Sequence, residues 1–199
     1  MSLCGPRFKK PLQKQDTLLS SSMTSKIITG IGSRKTPVTV QGHMTHLASI
    51  FESLGYTLRS GGADGADLAF EKGIKNPGNK EIYLPEPGFN NSNSKLHQIK
   101  PWAVKIAEKH HPNWSRIKES SFSMKLMARN TYQIYGYTQS SPLSDVVVCW
   151  TPGGSLSGGT AQAIRIAESL KIPVCNLATV QGRMSIKLIL KGLGYEFGQ

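Results

Sequence analysis

Cysteine, acidic side chains and long apolar runs are all scarce in this chain, and each scarcity excludes something. Three cysteines stand in 199 residues, Cys4, Cys149 and Cys175. Their odd number and wide spacing exclude a disulfide framework and offer no metal-ligand pair. Cys149 and Cys175 fall in apolar, strand-like runs, where a thiol serves as a small apolar side chain. No stretch of about 18 apolar residues occurs, so no helix of membrane-spanning length is expected. Residues 1–25 lack the apolar block of a secretory signal, and a cytoplasmic location is expected. No glycine run leads into Lys-Ser or Lys-Thr as a Walker-type phosphate loop requires, and no Ser-His-Asp signature stands out. His110-His111 has no second His or Cys pair at ligand spacing, so the pair reads as solvated beside Pro112 and no metal is expected.

The shortage of acids sets the charge. There are 24 Lys plus Arg against 12 Asp plus Glu, a net +12. Residues 1–22 hold Arg7, Lys9, Lys10, Lys14 and Asp16, leaving 20 cations against 11 acids, or +9, on the rest. The bias therefore belongs to the body of the chain. It favours anionic partners such as nucleotides or nucleic acid, the plainer reading being a basic surface that keeps the protein soluble.

Residues 1–25 mix Pro, Gln, Lys and Ser without periodicity and read as a disordered basic tail, with Met23 a candidate start of the folded unit. From residue 26 onward a single α/β domain is expected. Lys26–Thr29 reads as a buried strand entering Gly30-Ile31-Gly32-Ser33-Arg34. Residues 38–54 carry apolar positions at helical spacing and stop at Gly55. Tyr56–Arg59 is a second strand, entering Ser60-Gly61-Gly62-Ala63-Asp64-Gly65-Ala66-Asp67 and a helix that ends near Gly73. Lys80–Pro85 is a third. Asp145–Trp150 is a fourth, followed by Pro152-Gly153-Gly154-Ser155-Leu156-Ser157-Gly158-Gly159-Thr160 and a helix over 161–170. Pro173–Leu177 is a fifth, with a final helix over 180–193. Strands separated by helices imply right-handed crossovers and a parallel sheet. The fold class is thus α/β: a doubly wound, mostly parallel, Rossmann-like sheet of about five strands flanked by helices.

Three of these strands end in glycine-bearing loops. Such loops expose backbone N–H groups in front of a helix N-terminus, and in an open parallel sheet they gather at the carboxyl edge, where ligands bind. Between them, residues 88–120 form a basic, aromatic-containing insertion. Phe89, Trp102, Trp114 and, just beyond, Phe122 are interleaved with Lys and Arg. That mixture suits a base-stacking, phosphate-holding lid, or else an amphipathic helix docked on the core with a solvated basic face. A helix over 121–135 presents Met124, Met127, Ala128, Tyr132 and Tyr135, read as core contacts.

The four ordered segments Gly30-x-Gly32-Ser33-Arg34, Ser60-Gly61-Gly62-Ala63-Asp64-Gly65-Ala66-Asp67, Arg129-Asn130 and Ser157-Gly158-Gly159-Thr160-Ala161-x-Ala163 resemble those of the SLOG superfamily, the Rossmann-like group that holds DNA-processing protein A and the lonely-guy hydrolases. The likeness spans about residues 26–177. Only about twenty residues follow the last strand, which suits a stand-alone core, similar to those carried by phage and bacterial genomes. The resemblance implies a ligand site built from Gly30, Gly32, Ser33, Arg34, Ser60, Gly61, Gly62, Asp64, Gly65, Asp67, Arg129, Asn130, Gly153, Gly154, Ser157, Gly158, Gly159 and Thr160. Arg34 would clamp phosphate, or else make a surface salt bridge. Asp64 and Asp67 would accept from ribose hydroxyls, or support the turn and the first helical turn. Arg129 would contact the ligand or pair with a carboxylate. Ser157 and Thr160 would donate to phosphate, cap the helix, or both.

The lonely-guy hydrolases carry Pro-Gly-Gly-x-Gly-Thr-x-x-Glu. Here extra residues separate Pro152-Gly153-Gly154 from Gly159-Thr160, and Ala163 and Gln162 stand where the general acid/base would be. Neither can exchange protons near neutral pH. The leading expectation is therefore a binding module, with no chemistry required, that senses or sequesters a nucleotide or nucleotide-derived small molecule and needs no cofactor. The alternatives are a single-stranded nucleic-acid-binding protein similar to DNA-processing protein A, and a nucleotide N-glycosidase using a relocated carboxylate. By analogy with SLOG relatives, a homo-oligomer is expected.

Overall fold

A computed structural model describes residues 26–156 and 158–197; the tail expected over 1–25, with Cys4 and Met23, and the candidate Ser157 lie outside the described residues. Five strands, β1 (Ile27–Gly32), β2 (Thr57–Ser60), β3 (Lys80–Ile82), β4 (Val146–Trp150) and β5 (Val174–Asn176), form one parallel sheet in the order β3-β2-β1-β4-β5. The winding runs outward from β1 to β3, then returns to place β4 against the other side of β1. The switch point therefore lies between β1 and β4, whose last residues, Gly32 and Trp150, are register partners. The fold is the doubly wound Rossmann-like α/β architecture.

The helices are α1 (Val38–Ser53), α2 (Ala66–Lys72), α3 (Pro101–His110), α4 (Phe122–Tyr135), α5 (Gly158–Ser169) and α6 (Val180–Gly192). Strand residues alternate between two layers, as a period of two requires. Ile28, Leu58, Val146 and Val148 pack with Met44 and Phe51 of α1, Phe70 of α2 and Ile186 and Leu190 of α6. Ile31, Val147 and Cys149 pack against Ile134 of α4 and Ala163, Ile164 and Ile166 of α5. Each fully buried Ile, Leu, Val or Phe contributes about 1.5–3 kcal/mol.

Two boundaries differ from the sequence expectation, each for a physical reason, and one open alternative, lid or docked helix for 101–110, is decided. β3 ends at Ile82 instead of running to Pro85: Tyr83 makes a single bridge to Leu96 and the strand meets a proline without an N–H. α5 begins at Gly158, so Gly158-Gly159-Thr160 is its first turn and not a free loop ahead of it. α3 is docked: Ala103 and Ala107 are fully buried, Thr131 Oγ1 donates to the Ala103 carbonyl at 3.1 Å, and Gln162 Nε2 donates to the Ala107 carbonyl at 3.0 Å. Trp102 packs edge-on against Tyr132 and Tyr135 of α4, and Trp114 against His111. Of the four aromatics flagged around the insertion, Phe89 and Phe122 stay near the carboxyl edge, with ring centroids 6.0 Å apart. Among the described residues no helix is long and apolar enough to cross a membrane.

Candidate functional site

A cleft of about 750 Å³ opens over the carboxyl ends of β1 and β4. Its walls are the β1–α1 turn (Ser33, Arg34, Lys35), one face of α4, and the first turn of α5, with Phe89 and Phe122 on its lining. Its floor is a buried polar network whose parts come from all three glycine segments.

The second glycine loop seats the first. Ser60 Oγ donates to the Gly30 carbonyl at 2.7 Å across the β2–β1 boundary. Gly65 has φ +79°, and a Cβ there would stand 2.6 Å from the Ser33 carbonyl oxygen and 2.8 Å from Arg34 Cα. Only a residue free in the left-handed region and lacking a side chain lets the two loops touch. Asp67 then projects from the first turn of α2. Its Oδ1 accepts from the Gly32 N–H at 3.2 Å and its Oδ2 from Arg129 Nη1 at 3.2 Å, with the Ala63 N–H at 3.5 Å. Gln133, one turn beyond Arg129 on α4, sits beside both; with its amide assigned from its hydrogen-bonding neighbours, the oxygen accepts from the Gly61 N–H and Arg129 Nη1, each at 3.0 Å. A Cβ on Gly61 would sit 1.3 Å from Arg129 Nη1, so the guanidinium occupies the space that a side chain would take. Asn130 Nδ2 donates to the Gly159 carbonyl at 3.0 Å and to Gln162 Oε1 at 3.1 Å, tying α4 to the first turn of α5.

Asp67 is 3% exposed and Arg129 is 6% exposed. Burial pushes the Asp67 carboxyl above its ordinary range, while the Arg129 charge and the Ala63 and Gly32 N–H groups pull it back. Burial likewise lowers Arg129, opposed by Asp67, and the nearby Arg34 charge lowers it further. Arg129 Nε is the one buried side-chain nitrogen or oxygen among the described residues with no hydrogen-bond partner. An arginine that has lost its water and still lacks an acceptor is a costly arrangement without a ligand and a favourable one with an anion. The thiols offer no nucleophile: burial pushes Cys149 up to about 12 and Cys175 up to about 11. No cluster of three or more His, Cys, Asp or Glu able to hold a metal occurs among the described residues.

The expected site residues divide by depth. Gly32, Ser33, Arg34, Asp67, Arg129, Asn130, Gly158, Gly159 and Thr160 line the cleft. Gly30, Ser60, Gly61 and Gly65 lie beneath or behind it as supports. Gly62 lines a separate hollow of about 480 Å³ beside Asn90 and Ser94. Asp64 is exposed and accepts from Asn90 Nδ2 at 3.0 Å. Gly153 and Gly154 form a short 3₁₀ turn off the lining, where Pro152 takes part instead. Sequence reasoning missed Thr151, Gln133, Leu126 and the cleft-lining role of Met127, which it assigned to the core; Lys35 lies at the end of the expected 30–35 loop. A signal for part of this existed: Phe122, Leu126, Arg129, Asn130 and Gln133 are spaced i, i+4, i+7, i+8, i+11, one face of a helix.

No family model matches the chain, and no curated protein does. Among solved structures it is similar to DNA processing protein A from Helicobacter pylori, described for its unique single-stranded DNA binding mode. The two are 20% identical over 85% of this chain and 74% of that one, with a TM-score of 0.47. The Rossmann-like assignment rests on strand order and crossovers.

Proposed function

We propose that the cleft binds a nucleotide or nucleotide-derived anion, and that the protein acts by holding this ligand, as a sensor or a sequestering module. The observation that carries the reading is the buried Arg129 with its unpaired Nε, set under a wall bearing Arg34 and Lys35 and beside the N-terminal turn of α5. Fixed donors and the positive end of a helix dipole meet there in a partly enclosed space, the arrangement that favours phosphate. Phe89 and Phe122 add a flat apolar surface on which a base can stack.

Binding without hydrolysis is favoured because the one carboxylate on the lining is already engaged. Both Asp67 oxygens already accept from protein donors and the group is buried, so neither is free to approach water or substrate. Mass spectrometry of small molecules released from purified protein tests the reading. A co-purifying nucleotide is expected, and Arg34→Ala should lose it while keeping the wild-type circular dichroism spectrum. Protein that carries nothing and shows no calorimetric response to any nucleotide refutes it.

A second reading, single-stranded nucleic acid as partner, draws on the net +12 charge and the exposed Lys95, Lys105, Lys109, Arg116 and Lys118. Salt separates the two. A strand contacting several phosphates gives an affinity slope of about −0.7 per phosphate neutralised, and a small ligand gives a shallow one.

A further inference from the structure

The charges around the cleft do not balance, and the imbalance points to a kind of phosphate. Among the described residues, the charged groups on its lining are Arg34 and Lys35 on the β1–α1 turn, Asp67 on α2 and Arg129 on α4. The first turn of α5 carries no acid, and none of the described residues lining the cleft is a histidine. Glu86, outside the lining, pairs with Lys125 at 3.5 Å, and Asp64, also outside it, is bonded by Asn90. Three cations thus face one carboxylate, and that carboxylate holds Arg129 through one nitrogen only. A phosphodiester, with a single negative charge, leaves a positive excess in a partly desolvated site. A phosphomonoester, close to doubly charged above its second pKa of about 6, cancels it.

We infer that the cleft is selective for a terminal phosphomonoester dianion, on a mononucleotide or at a strand end, over an internal phosphodiester. Arg129, nine-tenths buried and with its Nε lacking an acceptor, makes this a built site and not merely a helix N-terminus. The inference rests on the anion-binding reading above and narrows it. Protonation of Asp67 at low pH adds to the positive excess and strengthens binding of any anion. The ratio of monoester to diester affinity, not either affinity alone, is therefore the quantity to read.

The test is calorimetry with the four ribonucleoside 5′-monophosphates and their 5′-methyl phosphodiesters, at about pH 5 and about pH 7.5, either side of the phosphate's second pKa. For the base that binds, the monoester should be favoured by about tenfold or more at the higher pH, with the ratio shrinking at the lower. Arg34→Gln should weaken both ligands, the monoester more than the ester, and so move the ratio at high pH toward one. Equal affinities for monoester and ester at both pH values overturn the dianion selectivity and leave anion binding standing. A tighter ester overturns it outright. No heat with any of the eight compounds overturns the anion-binding reading and this inference together.

Discussion

Among the described residues two arginines are buried near the carboxyl edge of the sheet, and they differ in how fully they are satisfied. Arg59 on β2 is 1% exposed. Its Nε donates to Glu81 Oε2 at 2.6 Å and its Nη1 to the Pro142 carbonyl at 2.8 Å. Glu81 is its register partner on β3, and Tyr83 donates to the same carboxylate. Arg129 is nearly as buried, yet holds Asp67 through one 3.2 Å bond and leaves Nε without an acceptor. Fully satisfied polar groups lock a fold together; an incompletely satisfied one beside an open cleft is the donor that the proposed anion would satisfy. Burial alone does not tell the two apart, and the hydrogen-bond inventory does.

If that contrast holds, Arg59→Met should be the most damaging single change to stability. It leaves Glu81, whose side chain is 39% exposed, to water, but strands the Pro142 carbonyl and removes a charge-assisted bond, a loss of about 2–3 kcal/mol. Urea unfolding should show the loss, and the fraction that remains folded should bind ligand with unaltered affinity. A stable Arg59→Met variant would dissolve the distinction from its side.

Arg129→Met combined with Asp67→Asn should behave in the opposite way. Removing both charges together leaves no buried ion alone, so unfolding free energy should move by only about 1–2 kcal/mol. Ligand affinity should fall roughly tenfold to a hundredfold, the worth of one charge-assisted hydrogen bond of about 1.5–3 kcal/mol. A double variant that unfolds readily but binds well would make Arg129 the structural member of the two.

Gly61→Ala attacks the same arginine from below. Its Cβ cannot coexist with Nη1 in place, so the guanidinium must shift and Gln133 with it. Overpacking of this kind costs about 1–3 kcal/mol. A melting curve should report that cost, and calorimetry should report weaker binding even though residue 61 does not line the cleft. The corresponding change near Arg59, at Gly136 with φ +84°, would crowd Ser141 Cβ at 2.5 Å and Arg59 Nη2 at 2.8 Å and should cost stability alone.

The sequence made the sheet readable because strand runs, crossover helices and glycine turns are local patterns. It made the outer half of the site readable for the same reason: Gly32-Ser33-Arg34 and Gly158-Gly159-Thr160 are contiguous segments. The floor is a long-range product. Asp67 and Arg129 are separated by 62 positions, and nothing near either one says that they meet. Gln133 joins them only because α4 is laid across the ends of β1 and β2. The 88–120 insertion looked equally suited to a lid and to a docked helix because α3 seats itself through Ala103 and Ala107. Two small residues give little periodic signal, while the cations and tryptophans around them give a loud one.

The finest test of the contrast is the pH dependence of Asp67. Its carboxyl is raised from an ordinary value of 3.8, chiefly by burial. A group that holds its proton more tightly when folded contributes stability that is fully present below the unfolded value and is lost as pH rises through the folded one. Wild-type protein should therefore lose stability relative to Asp67→Asn between about pH 4 and the folded pKa. The slope over that interval is about 1.4 kcal/mol per pH unit, and the difference should be flat above it. Denaturant unfolding of both proteins across that range reads the sign directly. Should Asp67→Asn instead weaken relative to wild type as pH rises, the Arg129 charge outweighs burial. The pair would then be as well satisfied as Arg59 with Glu81, and the cleft would lose its claim to an arginine waiting for an anion.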